Sequence, residues 1–386
     1  MKTLENLLMA LVGLIAKAIF IIYRAVALLA VVSAVVYFIA VWWLYKSPEY
    51  HEYWWYPLPV LALGLLLAIF GPHRKKDNPT RKYPGLTGPI DACADAFIAW
   101  IGTLKYFTSP VSLVEDPGSY KIKGGEIREL IDGGLQPGDI LLRGYDGYLD
   151  GIMIGLTGGG KGLGKYFSHA ALYLGELNDK EDKRIAARRL QTQDDSGAWV
   201  DASDADKDAI RNDPDYYQAG RQMVVHAMTR GVFVEDILTF LRCDYLAVLR
   251  LHDEIRLSEQ DHLPFKPLIE VLPEDAKAIN SNLIFGGSVN RNDVIKGVRS
   301  SALGKIGSCY DFQFNDIKTA NRFSCSEFVY YCFKSVHSYL GLKPQRHAFL
   351  KFFFRRNTIT PADIYDAAES QGKLEIKWKS SSLKKQ

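Results

Sequence analysis

Two short segments limit most what this chain can fold into: Ser168-His169-Ala170-Ala171-Leu172-Tyr173-Leu174-Gly175 and Ser324-Cys325-Ser326-Glu327-Phe328-Val329-Tyr330-Tyr331. In the first, an apolar and aromatic run follows the histidine and a Gly-Glu pair closes it, the composition of a strand. In the second, Ser324 and Glu327 form an S-x-x-E capping box ahead of an apolar run, which puts Cys325 at the first helical position. The expected fold class is α+β, with a strand-borne imidazole and a helix-borne thiol. Such a pair is the minimum for covalent hydrolysis of an acyl compound. Unpaired N–H groups at a helix start favour an anionic sulfur, so the Cys325 pKa is expected to be depressed. The helical spacing of Cys325, Phe328, Val329, Cys332 and Val336 equally describes a buried stripe. Cys332 reads as core; on residue chemistry alone, Cys325 stands between core and nucleophile.

Together the two segments resemble the NlpC-type papain-like hydrolases, whose nucleophile opens a D-C-S-G-F-V-like helix and whose histidine opens an H-V-G-I-Y-L-G-like strand. Val224-Val225-His226-Ala227, followed by Arg230-Gly231-Val232, is similar to the family's second histidine strand. Tyr310, in Gly307-Ser308-Cys309-Tyr310-Asp311-Phe312, stands where the family carries a tyrosine near its oxyanion site. The order His169, His226, Cys325 is the reverse of the ordinary family. It resembles the circularly permuted branch, the YaeF/YiiX-like amidases, related to the lecithin:retinol acyltransferase-like enzymes. Pro137-Gly138-Asp139-Ile140-Leu141-Leu142-Arg143 resembles that branch's opening strand and Thr360-Pro361-Ala362-Asp363-Ile364 its closing segment. The likeness runs from about Glu126 to Ala368. Phe323-Ser324 in place of the usual tyrosine, and Phe328 in place of a common leucine, are its departures.

The resemblance implies a circularly permuted papain-like domain, an antiparallel sheet with a helix-borne nucleophile. It implies Cys325 as nucleophile, His169 as base and His226 as the partner that fixes the tautomer. Tyr310 and the Cys325 backbone N–H are the oxyanion donors it suggests. No metal or organic cofactor is implied.

At 386 residues the chain exceeds the usual domain size, and about two parts are expected. Ala25 to Leu44 and Tyr53 to Phe70 are uncharged apolar runs, the first of 20 residues. A helix of that length spans a hydrocarbon core of about 30 Å. Trp42, Trp43 and Tyr45 flank the first run and Trp54, Trp55 and Tyr56 open the second, as interfacial belts do. The expected organisation is a membrane hairpin over 1–72 with spans 25–44 and 53–70, then a linker and amphipathic helix over 73–125. A catalytic domain over 126–370 follows, with an insertion at 177–222, and a basic tail over 371–386 ends the chain. Within the second part, Ile90 to Phe107 has helical apolar spacing. Basic residues before the first run (Lys2, Lys17, Arg24) and after the second (Arg74, Lys75, Lys76, Arg81, Lys82) predict both ends in the cytoplasm. The expectation is an integral membrane protein with a cytoplasmic catalytic domain and the lipid bilayer as partner. Leu7 to Tyr23, counted as a third span, would reverse the orientation.

Five scattered cysteines with no C-x-x-C pair argue against a disulfide framework or zinc site and suit a reducing compartment. A net charge of +3 with interspersed signs gives no reason to expect a nucleic-acid partner. Two frames within Gly155 to Lys165 reproduce most of G-x-x-x-x-G-K, but Gly162 and Tyr166 stand where Mg²⁺ needs Ser or Thr. That leaves a glycine loop beside the His169 strand. The charged stretch between the two histidines reads as a solvated loop, or else as a lid or partner surface. The expected function is a membrane-anchored cysteine hydrolase that cleaves an amide, ester or thioester of a lipid-like or membrane-associated substrate. An acyltransferase using the same residues and a non-catalytic membrane-tethered binding module are the alternatives. Oligomeric state is not legible.

Overall fold

The structure, a computed structural model, describes Asp95 and residues 103–108, 111–115, 118, 120–148, 162–194, 196–256, 288–311, 321–334, 336, 339–349 and 354–384. The chain divides into two compact units, residues 1–75 with 85–97, and residues 76–84 with 98–386. All elements named below belong to the second. In chain order they begin with β1 (Leu104–Thr108), β2 (Val111–Glu115), α1 (Gly124–Asp132), β3 (Ile140–Gly144), β4 (His169–Leu177) and α2 (Glu181–Ile185). There follow β5 (Gln191–Gln193), β6 (Trp199–Asp201), α3 (Asp204–Asn212), β7 (Gly220–Met228), β8 (Gly231–Asp236), α4 (Ile237–Phe240) and β9 (Tyr245–Leu251). Next come β10 (Glu254–Arg256), β11 (Ser288–Asn290), α5 (Arg291–Gly304), β12 (Cys309–Tyr310), β13 (Arg322–Phe323) and α6 (Cys325–Cys332). The last are β14 (Gln345–Phe349), β15 (Phe354–Thr358), α7 (Pro361–Gln371), β16 (Leu374–Lys379) and α8 (Ser381–Lys384).

Six strands pair antiparallel in the order β16-β9-β3-β4-β7-β8. Successive side chains of a strand point to opposite faces, and both faces of this sheet are covered. Ala170, Leu172 and Leu174 of β4 join the larger apolar cluster with α5, α6 and α7. Ala171 and Tyr173 join a smaller one with α1 and α4. β3 and the first seven residues of β4 are therefore buried throughout. The Pro-Gly-Asp run before β3 has a structural cause. Gly138 has φ 88°, and a Cβ there would come within 2.1 Å of the Ile295 side chain. Asp139, fully buried, accepts from Arg250 Nε and Nη2, each at 2.7 Å, which ties the start of β3 to β9.

The expected transmembrane hairpin is not supported. Among the described residues no helix is long and apolar enough to cross a membrane. Their longest helix, α5, has 14 residues, a rise of about 21 Å against a hydrocarbon core of about 30 Å. The expected spans 25–44 and 53–70, and the segment 7–23, lie outside the described residues. The fold class is corrected to α+β around a six-stranded antiparallel sheet. The integral-membrane localisation loses its support with the hairpin.

Three further expectations change. The helix expected over 90–107 does not extend to its end, because Leu104–Thr108 pairs with Val111–Glu115 as a hairpin. Tyr106, Phe107, Thr108 and Val111 are strand formers, and pairing overrides the helical spacing. The C-terminal tail is β16, whose Leu374, Ile376 and Trp378 alternate with charged residues along the β9 edge. The insertion is folded and not a bare loop. Arg299 of α5 binds Asp182 at 2.8 Å and the Leu174 carbonyl at 2.5 Å, while Leu190, Ala202 and Ile210 enter the larger core.

Candidate active site

Three strands of the sheet bring His169, His226 and Glu235 into one line. Between β7 and β8, His226 pairs with Phe233 and Val224 with Glu235. His169, His226 and Glu235 thus share the face covered by α4. His169 Nε2 lies 2.7 Å from His226 Nδ1, with the rings at 84°. His226 Nε2 lies 3.2 Å from Glu235 Oε1, close to the carboxylate but not aligned as a hydrogen bond. Phe233 and Phe240 wall the pair, with centroids 4.4 and 5.5 Å from His226. Burial opposes the charge on Glu235, but His226, Arg143 and Arg230 outweigh it and bring the carboxyl down to about 2.

That charge fixes the protons. A carboxylate only accepts, so His226 carries its hydrogen on Nε2 and offers a bare Nδ1. Nδ1 accepts from His169 Nε2–H, which leaves the lone pair of His169 on Nδ1. Among the described residues Nδ1 makes no hydrogen bond. Both rings are neutral: burial, the Arg143 charge and His226 push His169 well below its ordinary value. Burial lowers His226 too, against the pull of Glu235.

Cys325 approaches from the other side. Ser324 Oγ accepts from the Glu327 N–H, and Glu327 Oε2 accepts from the Ser324 N–H at 3.0 Å, so the capping box forms as the sequence predicts. Cys325 is the first residue of α6, 4% exposed, with Sγ 3.9 Å from the Ser168 carbonyl oxygen. The expected depressed thiol pKa is corrected. Burial pushes the thiol up to about 11, and the Ala170 N–H and Ser326 offset only part of that. Among the described residues no hydrogen bond joins Sγ to the His169 ring. Among the described residues Ser168 Oγ, buried beside this contact, has no hydrogen-bond partner. Behind the cap, Glu327 Oε1 accepts from Thr358 Oγ1 at 2.9 Å; burial and the neighbouring Asp311 raise the Glu327 carboxyl to about 7.

Tyr310 comes beside the approach to α6 because β12 pairs in parallel with β13, Tyr310 opposite Phe323. Its ring packs against the larger core. The structure therefore brings His169 and His226 into direct contact, lays Cys325 on the backbone that leads into His169, and sets Tyr310 on β12, paired with the strand that leads into α6. The glycine loop at 155–161 lies outside the described residues. Sequence reasoning missed Glu235, and with it Arg143 and Ser168. A carboxylate at the inward position of Val232-Phe233-Val234-Glu235 was the available signal, but a charge ending a strand ordinarily faces solvent. No family model, curated protein or solved structure matches the chain.

Proposed function

We propose that the chain is a cysteine hydrolase in which Cys325 attacks an amide, ester or thioester carbonyl with His169 as its base. The observation that carries this reading is the His169–His226 hydrogen bond backed by Glu235. It leaves one bare imidazole nitrogen on the residue next to Ser168, whose carbonyl oxygen lies 3.9 Å from Cys325 Sγ. With thiol and imidazole both neutral, the proton passes from Sγ to His169 Nδ1 as sulfur bonds the carbonyl carbon. The imidazolium so formed is stabilised through His226 by the Glu235 charge. Donors for the tetrahedral oxyanion are the Cys325 backbone N–H and Ser168 Oγ, with Tyr310 added by the family resemblance. Collapse expels an amine, alkoxide or thiolate that takes the proton from His169. Water then returns a proton to Nδ1, cleaves the thioester and restores the thiol; another nucleophile in place of water makes the same residues an acyltransferase. The likeness to permuted NlpC-type hydrolases supports the same assignment.

In the full chain at pH about 8, iodoacetamide with peptide mapping is expected to modify Cys325 ahead of Cys243, Cys309 and Cys332. His169→Ala should slow that reaction about 10²-fold. Uniform labelling, or none at Cys325, would overturn the reading. A non-catalytic binding module is the second reading, favoured by the buried, protonated thiol with no hydrogen bond to imidazole. Cys325→Ser separates the two, since a binding module keeps its ligand and an enzyme loses turnover.

A further inference from the structure

Arg143 is the least satisfied charged group at this site. β3 and β4 pair Arg143 with His169, and both point to the α4 face. Met228, at the end of β7, brings its thioether to within 3.4 Å of Arg143 Nη2. Arg143 is 4% exposed and its guanidinium lies over the Phe240 ring, Cζ 4.2 Å from the centroid. Nη1 donates to the Phe240 carbonyl at 2.9 Å and stands 3.7 Å from Glu235 Oε1. The opposite edge is different. Among the described residues Nε has no hydrogen-bond partner, and Nη2 meets only the Met228 thioether at 3.4 Å. A thioether is a weak acceptor, whereas the Nε/Nη2 edge is the fork that grips a carboxylate with two parallel hydrogen bonds.

We infer that the Nε/Nη2 edge of Arg143 binds a carboxylate of the substrate, placed next to the carbonyl that Cys325 attacks, with Met228 as its movable cover. A buried guanidinium left with unused donors is costly in the free protein, and that cost is relieved when an anion arrives. The single charge suits a monoanion. Glu235 is already committed to His226 on the far side of the guanidinium, and a dianion there would bring uncompensated charge into a buried site. Met228 is fitted to move: it is 37% exposed, at the end of β7, and unbranched with three rotatable bonds. The direction of the His169 shift agrees, because Arg143 is among the groups that hold the imidazole neutral. A bound carboxylate would screen that charge and ease proton transfer to Nδ1. This inference rests on Cys325 as nucleophile and adds the substrate class, an acyl compound carrying a free carboxylate close to the cleaved bond.

The test uses two alkylating agents of the same size, iodoacetate and iodoacetamide, on Cys325 of the full chain. The readout is the ratio of their rates, with N-acetylcysteine as the reference thiol. The wild-type ratio is expected to exceed the reference by about tenfold, the worth of one charge-assisted hydrogen bond. Arg143→Lys keeps the charge but loses the fork and should bring the ratio back toward the reference, the ratio being taken within the variant itself. Met228→Glu, at an exposed position, supplies an internal carboxylate and should abolish the iodoacetate preference even if the Arg143 variant does not fold. A wild-type ratio equal to the reference, or one unchanged by Met228→Glu, overturns the carboxylate site. Full retention in Arg143→Lys also overturns it, since charge alone would then explain the preference. If iodoacetamide itself fails to modify Cys325, it is the hydrolase reading that falls.

Discussion

Glu235 brings one negative charge into an apolar pocket, and that charge decides where two imidazoles keep their hydrogens. Glu235→Gln preserves size but can donate as well as accept, so it is compatible with either His226 tautomer and the lone pair on His169 Nδ1 is no longer enforced. Its expected effect, followed with p-nitrophenyl acetate, is a fall in kcat of about 10²- to 10⁴-fold with KM little changed. A purely structural role would alter stability without that split. The pH dependence follows from the same residues. An imidazole whose pKa is lowered remains an unprotonated base as pH falls, so the alkylation rate of Cys325 should show no inflection near the ordinary 6.5. The thiol, raised to about 11, should instead give a rate that climbs through the alkaline range. An acid limb centred near 6.5 would contradict this arrangement. His169, His226 and Cys325 were legible because each sits in a short segment whose pattern is local. Glu235 and Arg143 were not, since only the pairing of β3, β4, β7 and β8 turns a charged strand residue into a neighbour of His169.

At the scale of elements, α6 rests on a capping box whose acid is buried and paired with little positive charge. The Glu327 carboxyl, raised to about 7 from an ordinary 4.5, is neutral in the more stable form of the fold. Its contribution is fully present below about 4.5 and is lost as pH rises through about 7, a difference on the order of 3 kcal/mol. Glu327→Gln, neutral at every pH, should remove that fall; the check is the urea midpoint at pH about 5 and about 8. A wild-type midpoint that rises across this range would refute the buried-acid account. This cap was legible because Ser324 and Glu327 stand three apart before an apolar run. β1 and β16 were harder to recognise. Apolar residues at 97, 98, 101 and 104 imitate a helix, and the lysines after Glu375 imitate a solvated tail, while in both cases a strand partner distant or adjacent in sequence decides the outcome.

Buried ion pairs tie segments of the second unit that lie far apart in sequence. Arg299 is one such tie, donating to the Leu174 and Glu176 carbonyls and to Asp182, whose side chain is 8% exposed. Arg299→Ala leaves that acid without its cation at a cost of about 3 kcal/mol. Limited proteolysis should then cut first within residues 178–222, while the alkylation rate of Cys325 stays within about twofold of wild type. Cleavage spread evenly along the chain would show that the insertion is not an independently released part. Hydropathy, run length and the flanking aromatic belts suggested a membrane hairpin, and none of these carries information about how the described unit closes on itself. The contact between Cys325 and Ser168 spans 157 positions. At roughly 5–20 residues per second, a ribosome has made the base about 8–30 s, and its carboxylate about 5–18 s, before it reaches Cys325. The newborn chain therefore carries an imidazole relay with no sulfur to activate, and it becomes reactive only when a late helix docks on an early sheet.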